Sequence, residues 1–399
     1  MSSQKKILVL DANDSVVDVI EYAKQRGYYV ITCDNNPLNV GHQYANENLF
    51  ISVYDIEQLK RSLQNEKIDA VVYFTSEHGL YAASQLKDFL GIKGISADVY
   101  QKISNKGEFR KLLTKNHINC PRYQIVNKFE MINVREIIYP VIVKPVDGMG
   151  GNLGVTKVLS YNELEVAVRR ALDNSRSKYA IIEEFIESDL QVNGDCVVSK
   201  GILWGSFLGK HVYENSESII PYATIFSEEL INDTLKKKIN DEINKVIKAA
   251  NIYTGILNVE LRIKPNGEIY FVEINPRHSG NRIYQLMSKC SGISMSDFAI
   301  ELALDEADVT KLNLNMGEKS YAYGILFSKE SGRLKKLKLS DELERYVIDK
   351  KIFKEIGNKV SAFKGLRDRL GLLLLEFPTK EIMMEIMLKL GDYYDVEVE

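Results

Sequence analysis

The stretch from Asn258 to Arg277, Asn-Val-Glu-Leu-Arg-Ile-Lys-Pro-Asn-Gly-Glu-Ile-Tyr-Phe-Val-Glu-Ile-Asn-Pro-Arg, sets acidic and amide side chains within two apolar strands. Pro265-Asn266-Gly267 is a turn between them, so the strands predict a hairpin that can place the Glu260 and Glu273 carboxylates side by side. Glu273 and Asn275 are two apart on an extended segment and therefore share a face. Two carboxylates and an amide oxygen make an all-oxygen set suited to Mg²⁺, which also takes phosphate oxygens and water. A surface hairpin with acidic decoration accounts for Glu268, but not for a Glu and an Asn facing one way inside an apolar run. Arg277 lies two residues beyond Asn275, so it extends the same face with a fork of donors suited to anionic oxygens.

A second group lies upstream. The apolar run Val141-Ile142-Val143 ends on Lys144, followed by a loop containing Gly148, Gly150, Gly151 and Gly154. Backbone N–H groups of such a loop can wrap phosphate oxygens with no side chain in the way. An inward lysine at the end of an apolar strand needs an anionic partner. Lys106, opening a helix after Ser104-Asn105, is a further candidate cation. Between these groups and the hairpin, Ala180-Ile181-Ile182 runs into the paired acids Glu183 and Glu184, then Phe185 and Ile186. Backbone groups at Glu184 and Ile186, with apolar walls, could read a purine there.

The elements that must position these residues differ along the chain. Up to about residue 103, short apolar runs alternate with helical stretches: strands at Lys6–Leu10, Tyr29–Cys33 and Ala70–Phe74, and helices at Ser15–Gln25, Ile56–Gln64 and Gly79–Phe89. That rhythm predicts a parallel sheet whose ligands bind beyond the strands' carboxyl ends, at Asp11–Asp14, Asp34–Asn36 and Thr75–His78. No Gly-x-Gly-x-x-Gly follows the first strand, which argues against a dinucleotide site. After Ser104 come a helix over Gly107–Lys115 and strands at Val141–Lys144, Val155–Leu159, Ala180–Glu184, Cys196–Val198, Leu203–Leu208, Leu257–Ile263 and Ile269–Ile274, with a long helix over Asn232–Asn251. Gly317 to Glu399 reads as short mixed strands, Gly371–Glu376 the most buried of them. The fold class is thus multidomain α/β and α+β: an open parallel α/β domain over 1–103, a two-lobed nucleotide-site domain over 104–310 with a lid at about 121–184, and a small mixed domain over 311–399.

Composition narrows the partners. A net charge of −3 gives no basic domain of the kind that binds nucleic acid. The run Arg333-Leu-Lys-Lys-Leu-Lys338 reads as an exposed strand. No apolar window is long enough for a membrane helix, and the segment before Ile7–Leu10 is too short for a signal peptide, so a cytoplasmic protein is expected. Cys33, Cys120, Cys196 and Cys290 are scattered, which argues against a zinc site or disulfide framework.

Taken together, the order of an open α/β unit, a lysine-bearing helix, a lysine–glycine loop, an acidic hinge and a Glu…Glu-x-Asn-x-Arg hairpin resembles the ATP-grasp superfamily, with an overall look similar to its carboxylate–amine ligases and to carbamoyl-phosphate synthetase and biotin carboxylase. The resemblance covers nearly the whole chain. It implies that Lys106 and Lys144 contact ATP phosphates beneath a loop carrying Gly148, Gly150 and Gly151. It implies that Glu183, Glu184, Phe185 and Ile186 hold adenine, and that Glu260, Glu273 and Asn275 bind Mg²⁺, with Mn²⁺ as an alternative. Arg277, with Lys144, would serve catalysis by stabilising acyl-phosphate and tetrahedral species. Asp189 or Gln191 stands where relatives carry an acidic ribose contact. His278 is read as a loop-supporting residue, and Glu77, His78 and His211 as residues on substrate-facing loops. The implied activity is an ADP-forming ligase joining a small carboxylate to an amine, with a homodimer as the expected assembly. A bicarbonate-activating enzyme and a non-catalytic nucleotide sensor are the alternatives. The complete set of lysines, acids and arginine argues against the sensor.

Overall fold

The computed structural model describes residues 4–148, 153–215 and 218–399. The first sheet is parallel, in the order Glu47–Leu49, Tyr29–Cys33, Lys6–Leu10, Ala70–Val72. Tyr29–Cys33, Lys6–Leu10 and Ala70–Val72 are buried on both faces by helices, which explains their apolar runs, while the edge strand Glu47–Leu49 is partly exposed. The helix Glu77–Leu90 starts at the carboxyl end of this sheet, capped by Ser76, whose Oγ accepts from Gly79 N at 3.0 Å. Glu77 therefore sits in the first turn, above the strand ends.

A second, antiparallel sheet has the order Tyr123–Val126, Ala180–Glu184, Val141–Pro145, Thr156–Val158. The helix Tyr161–Asp173 covers it, and Val126, Val143, Val168 and Ile182 belong to a core of its own. This sheet delivers both Lys144 and Glu183.

The third sheet is larger than expected. Eight strands run in the order Ile269–Asn275, Gly255–Ile263, Leu190–Ser199, Ile202–Val212, Ala223–Phe226, Ser320–Leu326, Gly371–Phe377, Val347–Ile352, every neighbouring pair antiparallel. Two corrections follow. The strands read as Cys196–Val198 and Leu203–Leu208 are 10 and 11 residues long. Asn193, Asp195 and Ser206 are buried within them, so polar residues stand where alternation predicts a break. Three of the strands after Gly317 also join the central sheet, because Ser320–Leu326 pairs with Ala223–Phe226 and carries Gly371–Phe377 and Val347–Ile352 with it. Ser320–Leu326 is buried at every position and Gly371–Phe377 at all but Glu376, so the former is the most buried strand of this region. The run Arg333–Lys338 lies in the strand Gly332–Leu339, which belongs to a separate three-stranded sheet and is partly exposed, as read. The long helix spans Asp233–Ala250, with Asn232 as its N-cap and Asn251 in the left-handed conformation after it. All four cysteines are free, and among the described residues no helix is long and apolar enough to cross a membrane.

Gly194 lies mid-strand between Leu208 and Val259, and a Cβ there would sit 2.0 Å from the Phe207 carbonyl oxygen. The obstacle is sheet backbone, which cannot swing aside. Gly194→Ala is expected to destabilise the chain by on the order of 1–3 kcal/mol, read as a lowered urea midpoint with an unchanged slope; an unaltered midpoint would show that the central strands shift freely.

Candidate active site

The hairpin forms as predicted, with Glu260 opposite Glu273 and Asn258 opposite Asn275. Its register shifts just after this pair: Leu261 faces Phe271, leaving Val272 as an extra residue in a bulge. The bulge sends Phe271 into the core and Glu273 into the cleft. It also frees the Val272 carbonyl, which accepts from Arg110 Nη2 at 2.7 Å.

Around the two carboxylates stand cations from three separate elements. Lys106 opens the helix Lys106–Lys115, with its Nζ 3.1 Å from Glu273 Oε1. Arg110, one turn later on the same face, is fully buried, its Nε 2.9 Å from Glu183 Oε1. Lys144, from the second sheet, places Nζ 2.7 Å from Glu183 Oε2. Arg277, just beyond the hairpin, donates to the His278 carbonyl at 2.8 Å and pairs with Glu77 from the first sheet's edge. Although burial opposes it, the charges of Lys106, Lys144 and Arg277 hold Glu273 down to about 2. Burial together with Glu273 pushes Glu260 above the ordinary carboxylate range. Burial, with Arg110 and Lys106 close by, pushes Lys144 below the usual lysine range despite Glu183.

These groups share one cavity of about 720 Å³. Lys106, Lys144, Gly148, Glu183, Glu184, Phe185, Ile186, Glu260, Glu273, Asn275 and Arg277 all line it. Gly150 and Gly151 lie outside the described residues. Asp189 is exposed and Gln191 accepts from the Tyr213 hydroxyl at 2.5 Å; neither is among the cavity-lining residues described. At the hinge, Glu184 N donates to Arg122 O at 2.9 Å and Arg262 Nη1 to Ile186 O at 2.8 Å, so two backbone groups expected to read a purine are engaged with protein. The Phe185 ring lies between Lys157, 4.2 Å from its centroid, and Arg262 at 4.5 Å.

Among the described residues, no three of His, Cys, Asp and Glu group into a metal-holding cluster. Glu260, Glu273 and the Asn275 amide thus stand as two carboxylates and a neutral oxygen. That set fits Mg²⁺: Glu260 is partly buried against a second carboxylate with no cation paired to it among the described residues, and burial and that neighbour together raise its pKa.

Below the hairpin, buried Asp195 organises the chain after Arg277. It accepts from Asn258 Nδ2 at 3.0 Å and from Ser279 N at 3.1 Å, and His278 Nδ1 lies 3.0 Å away. Together with a bond from His278 N to Phe74 O at 3.1 Å, this pins the loop that carries Arg277.

Inspection of the sequence missed Arg110, Asp195 and the cationic residues Lys354, Arg367 and Arg369, which line the far end of the cavity. The spacing of Lys106 and Arg110 was a usable signal, since residues four apart share a helix face. The other residues carry no local signal.

Comparison with known proteins follows this geometry. Residues 103–281 match the family model described as the ATP-grasp domain. That segment is an ATP-grasp domain. This ATP-grasp domain spans the lysine-bearing helix, the second sheet and the acidic hairpin, so it contains the residues expected to hold nucleotide and metal, while Glu77 and His78 lie before it. The carbamoyl phosphate synthase large chain of Thermotoga petrophila is 27% identical over 284 residues, covering 70% of this chain and 25% of that protein. The chain therefore spans about a quarter of the length of that curated relative. Among solved structures, L-amino acid ligase from Bacillus licheniformis matches with TM-score 0.83 and 18% identity, covering 100% of both chains. The biotin carboxylase domain of the Hydrogenobacter thermophilus 2-oxoglutarate carboxylase, in complex with MgADP, ADP and bicarbonate, matches with TM-score 0.72 and 16% identity over 99% of this chain and 91% of that one. The chain shares the fold of these two structures over nearly its whole length.

His211 also lines the cavity, buried, with Nδ1 2.7 Å from Thr224 Oγ1. Burial, then the charge of Arg262, holds its pKa at about 3, so the folded chain keeps it neutral. A group whose folded pKa is depressed contributes stability that is complete above its unfolded value, near 6.5, and is lost as pH falls toward the folded value. Between pH 7 and pH 5 this loss is on the order of 1–2 kcal/mol. His211→Asn should flatten the corresponding slope of unfolding free energy against pH; identical slopes for the two chains would remove His211 from the account.

Proposed function

We propose that this chain is an ATP- and Mg²⁺-dependent, ADP-forming ligase that activates a small carboxylate as an acyl phosphate for attack by an amine. The carrying observation is the opposition of Glu260 and Glu273 in one cavity with Lys106, Lys144 and Arg277. Buried carboxylates ringed by cations are a costly arrangement unless an anionic ligand and a metal complete it.

In this reading Lys106 and Lys144 hold the phosphates of ATP, and Lys144 recovers its full charge against them. Glu260, Glu273 and Asn275 would hold Mg²⁺, which would supply neutralisation of phosphate oxygens. The substrate carboxylate attacks the γ-phosphorus, the bond to the β-phosphate oxygen breaks and ADP leaves. Arg277, fixed by Glu77 and the His278 carbonyl, stabilises charge on the acyl phosphate and on the tetrahedral adduct that the amine forms. The amine displaces phosphate, giving an amide. The sheet of Tyr123–Val126, Val141–Pro145, Thr156–Val158 and Ala180–Glu184, within the lid expected at about 121–184, carries Lys144 and excludes water that would hydrolyse the intermediate. A cytoplasmic homodimer acting on small molecules completes the reading.

Two variants test it. Glu273→Gln keeps the size and removes a charged ligand, so Mg²⁺-dependent nucleotide binding and ADP release should both collapse while the melting profile survives. Near-normal ADP release from that variant removes the metal assignment. Arg277→Ala should slow turnover on the order of 10²–10³ while nucleotide affinity changes little. Equal loss of rate and affinity would make Arg277 a binding residue only. ADP release that depends on bicarbonate instead of an organic acid would select the carboxylase reading.

A further inference from the structure

The cavity is electrically uneven. At the metal end Lys106 pairs with Glu273, Lys144 with Glu183 and Arg277 with Glu77, while Arg262 donates to the Ile186 carbonyl and lies over the Phe185 ring. At the opposite end the wall comes from the C-terminal strands, far outside the matched ATP-grasp domain. There Phe353-Lys354 follows the strand Val347–Ile352, and Leu366, Arg367 and Arg369 lie just before the strand Gly371–Phe377. Their neighbours are neutralised, since Lys350 pairs with Glu344 at 3.2 Å and Lys351 with Asp14. Among the described residues, Lys354, Arg367 and Arg369 form no ion pair with an acidic side chain, yet all three line the cavity.

The local structure holds this end in place. Lys354 N and Phe353 N both donate to the Leu370 carbonyl, at 3.3 and 2.8 Å, tying the two segments together. The Arg369 guanidinium lies 4.3 Å from the Phe353 ring centroid, which orients its plane. Arg369 is partly buried, and that burial pushes it below its usual range. Cations gathered at a cavity wall without acidic partners, two of them (Lys354 and Arg369) partly buried, are costly unless a ligand supplies the charge. Ile219, Ile220 and Pro221 give this end an apolar side.

We infer that Lys354, Arg367 and Arg369 form a subsite for a second anionic group, a phosphoryl or carboxylate, on one of the two substrates joined at the metal end. The inference rests on the ligase reading for its reaction and adds the substrate class: an acid or amine that carries a phosphate or a further carboxylate. Glu77, Glu260 and Glu273 repel such a group from the metal end, and the C-terminal wall attracts it. The substrate is thereby oriented with its reacting group toward Arg277.

The test uses the full chain saturated with Mg²⁺ and a non-hydrolysable ATP analogue, so that the nucleotide phosphate positions are filled. Inorganic phosphate, succinate and the monoanion butyrate are titrated by calorimetry into wild type and into Lys354→Gln, Arg367→Gln and Arg369→Gln. Wild type should bind phosphate or succinate at least tenfold more tightly than butyrate, and the variants should lose that preference while binding butyrate as before. Preference for phosphate selects a phosphorylated substrate, and preference for succinate a dicarboxylate. Dianions bound no better than butyrate, or a preference that survives all three substitutions, overturns the inference. Affinity for the ATP analogue with and without Mg²⁺, measured first on wild type and Glu273→Gln, reads the ligase assignment separately. That titration and a melting curve also identify any variant that fails to fold, and the exposed Arg367 position tests the subsite without disturbing a packed side chain.

Discussion

Two carboxylates set directly opposite each other in a hairpin are the constraint around which this structure is arranged. Glu260 and Glu273 repel, and both are taken partly out of water, so neither tolerates the position without positive charge nearby. Among the described residues only Glu273 of the two receives a protein cation directly, from Lys106. The asymmetry leaves one glutamate ionised and strongly held and the other in need of a cation, which is the electrostatic condition of a site that takes up a metal ion with an anionic ligand.

Meeting that constraint draws together parts of the chain that are far apart in sequence. Lys106 comes from a linking helix whose first N–H donates to the Val146 carbonyl at 2.8 Å, at the base of the glycine loop. Arg110 on the same helix joins Glu183 of the second sheet to the bulged carbonyl of the hairpin. Arg277 is held by Glu77, which the first sheet presents in the opening turn of a helix. The ion pairs among these contacts, Arg110–Glu183 buried and Arg277–Glu77 partly so, are weak as net stabilisers but expensive to half-remove. The ion pairs therefore specify where the sheets meet, while the large apolar cores supply the stability.

The central sheet has a second role. Because the Ser320–Leu326 strand continues it beyond Ala223–Phe226, the C-terminal segments are fixed relative to the acidic hairpin by one continuous ladder of hydrogen bonds. The two ends of the cavity, one balanced in charge and the other cationic, thus lie on a single scaffold. Asp195, buried in that same sheet, anchors the turn after Arg277 through Asn258, His278 and Ser279.

Local patterning was enough to determine much of this. Alternating apolar runs and helical stretches specified the parallel first sheet, because strands covered on both faces must be apolar throughout. Pro265-Asn266-Gly267 specified the hairpin, and the two-residue spacing of Glu273, Asn275 and Arg277 specified their common face, since both depend only on neighbours in the chain. What the chain's order could not determine depended on partners distant in sequence. The bulge at Val272 exists because the hairpin's register answers to Leu261 and Arg110. The true lengths of Leu190–Ser199 and Ile202–Val212 were hidden because buried Asn193, Asp195 and Ser206 are satisfied, or lined by the cavity, only in the assembled sheet. The pairing of Glu183 with Arg110 and Lys144, and the approach of Lys354, Arg367 and Arg369 to a site nearly a hundred residues away, were decided by tertiary structure alone. Charge acts through space, and a single sequence records which residues are charged without recording which of them will meet.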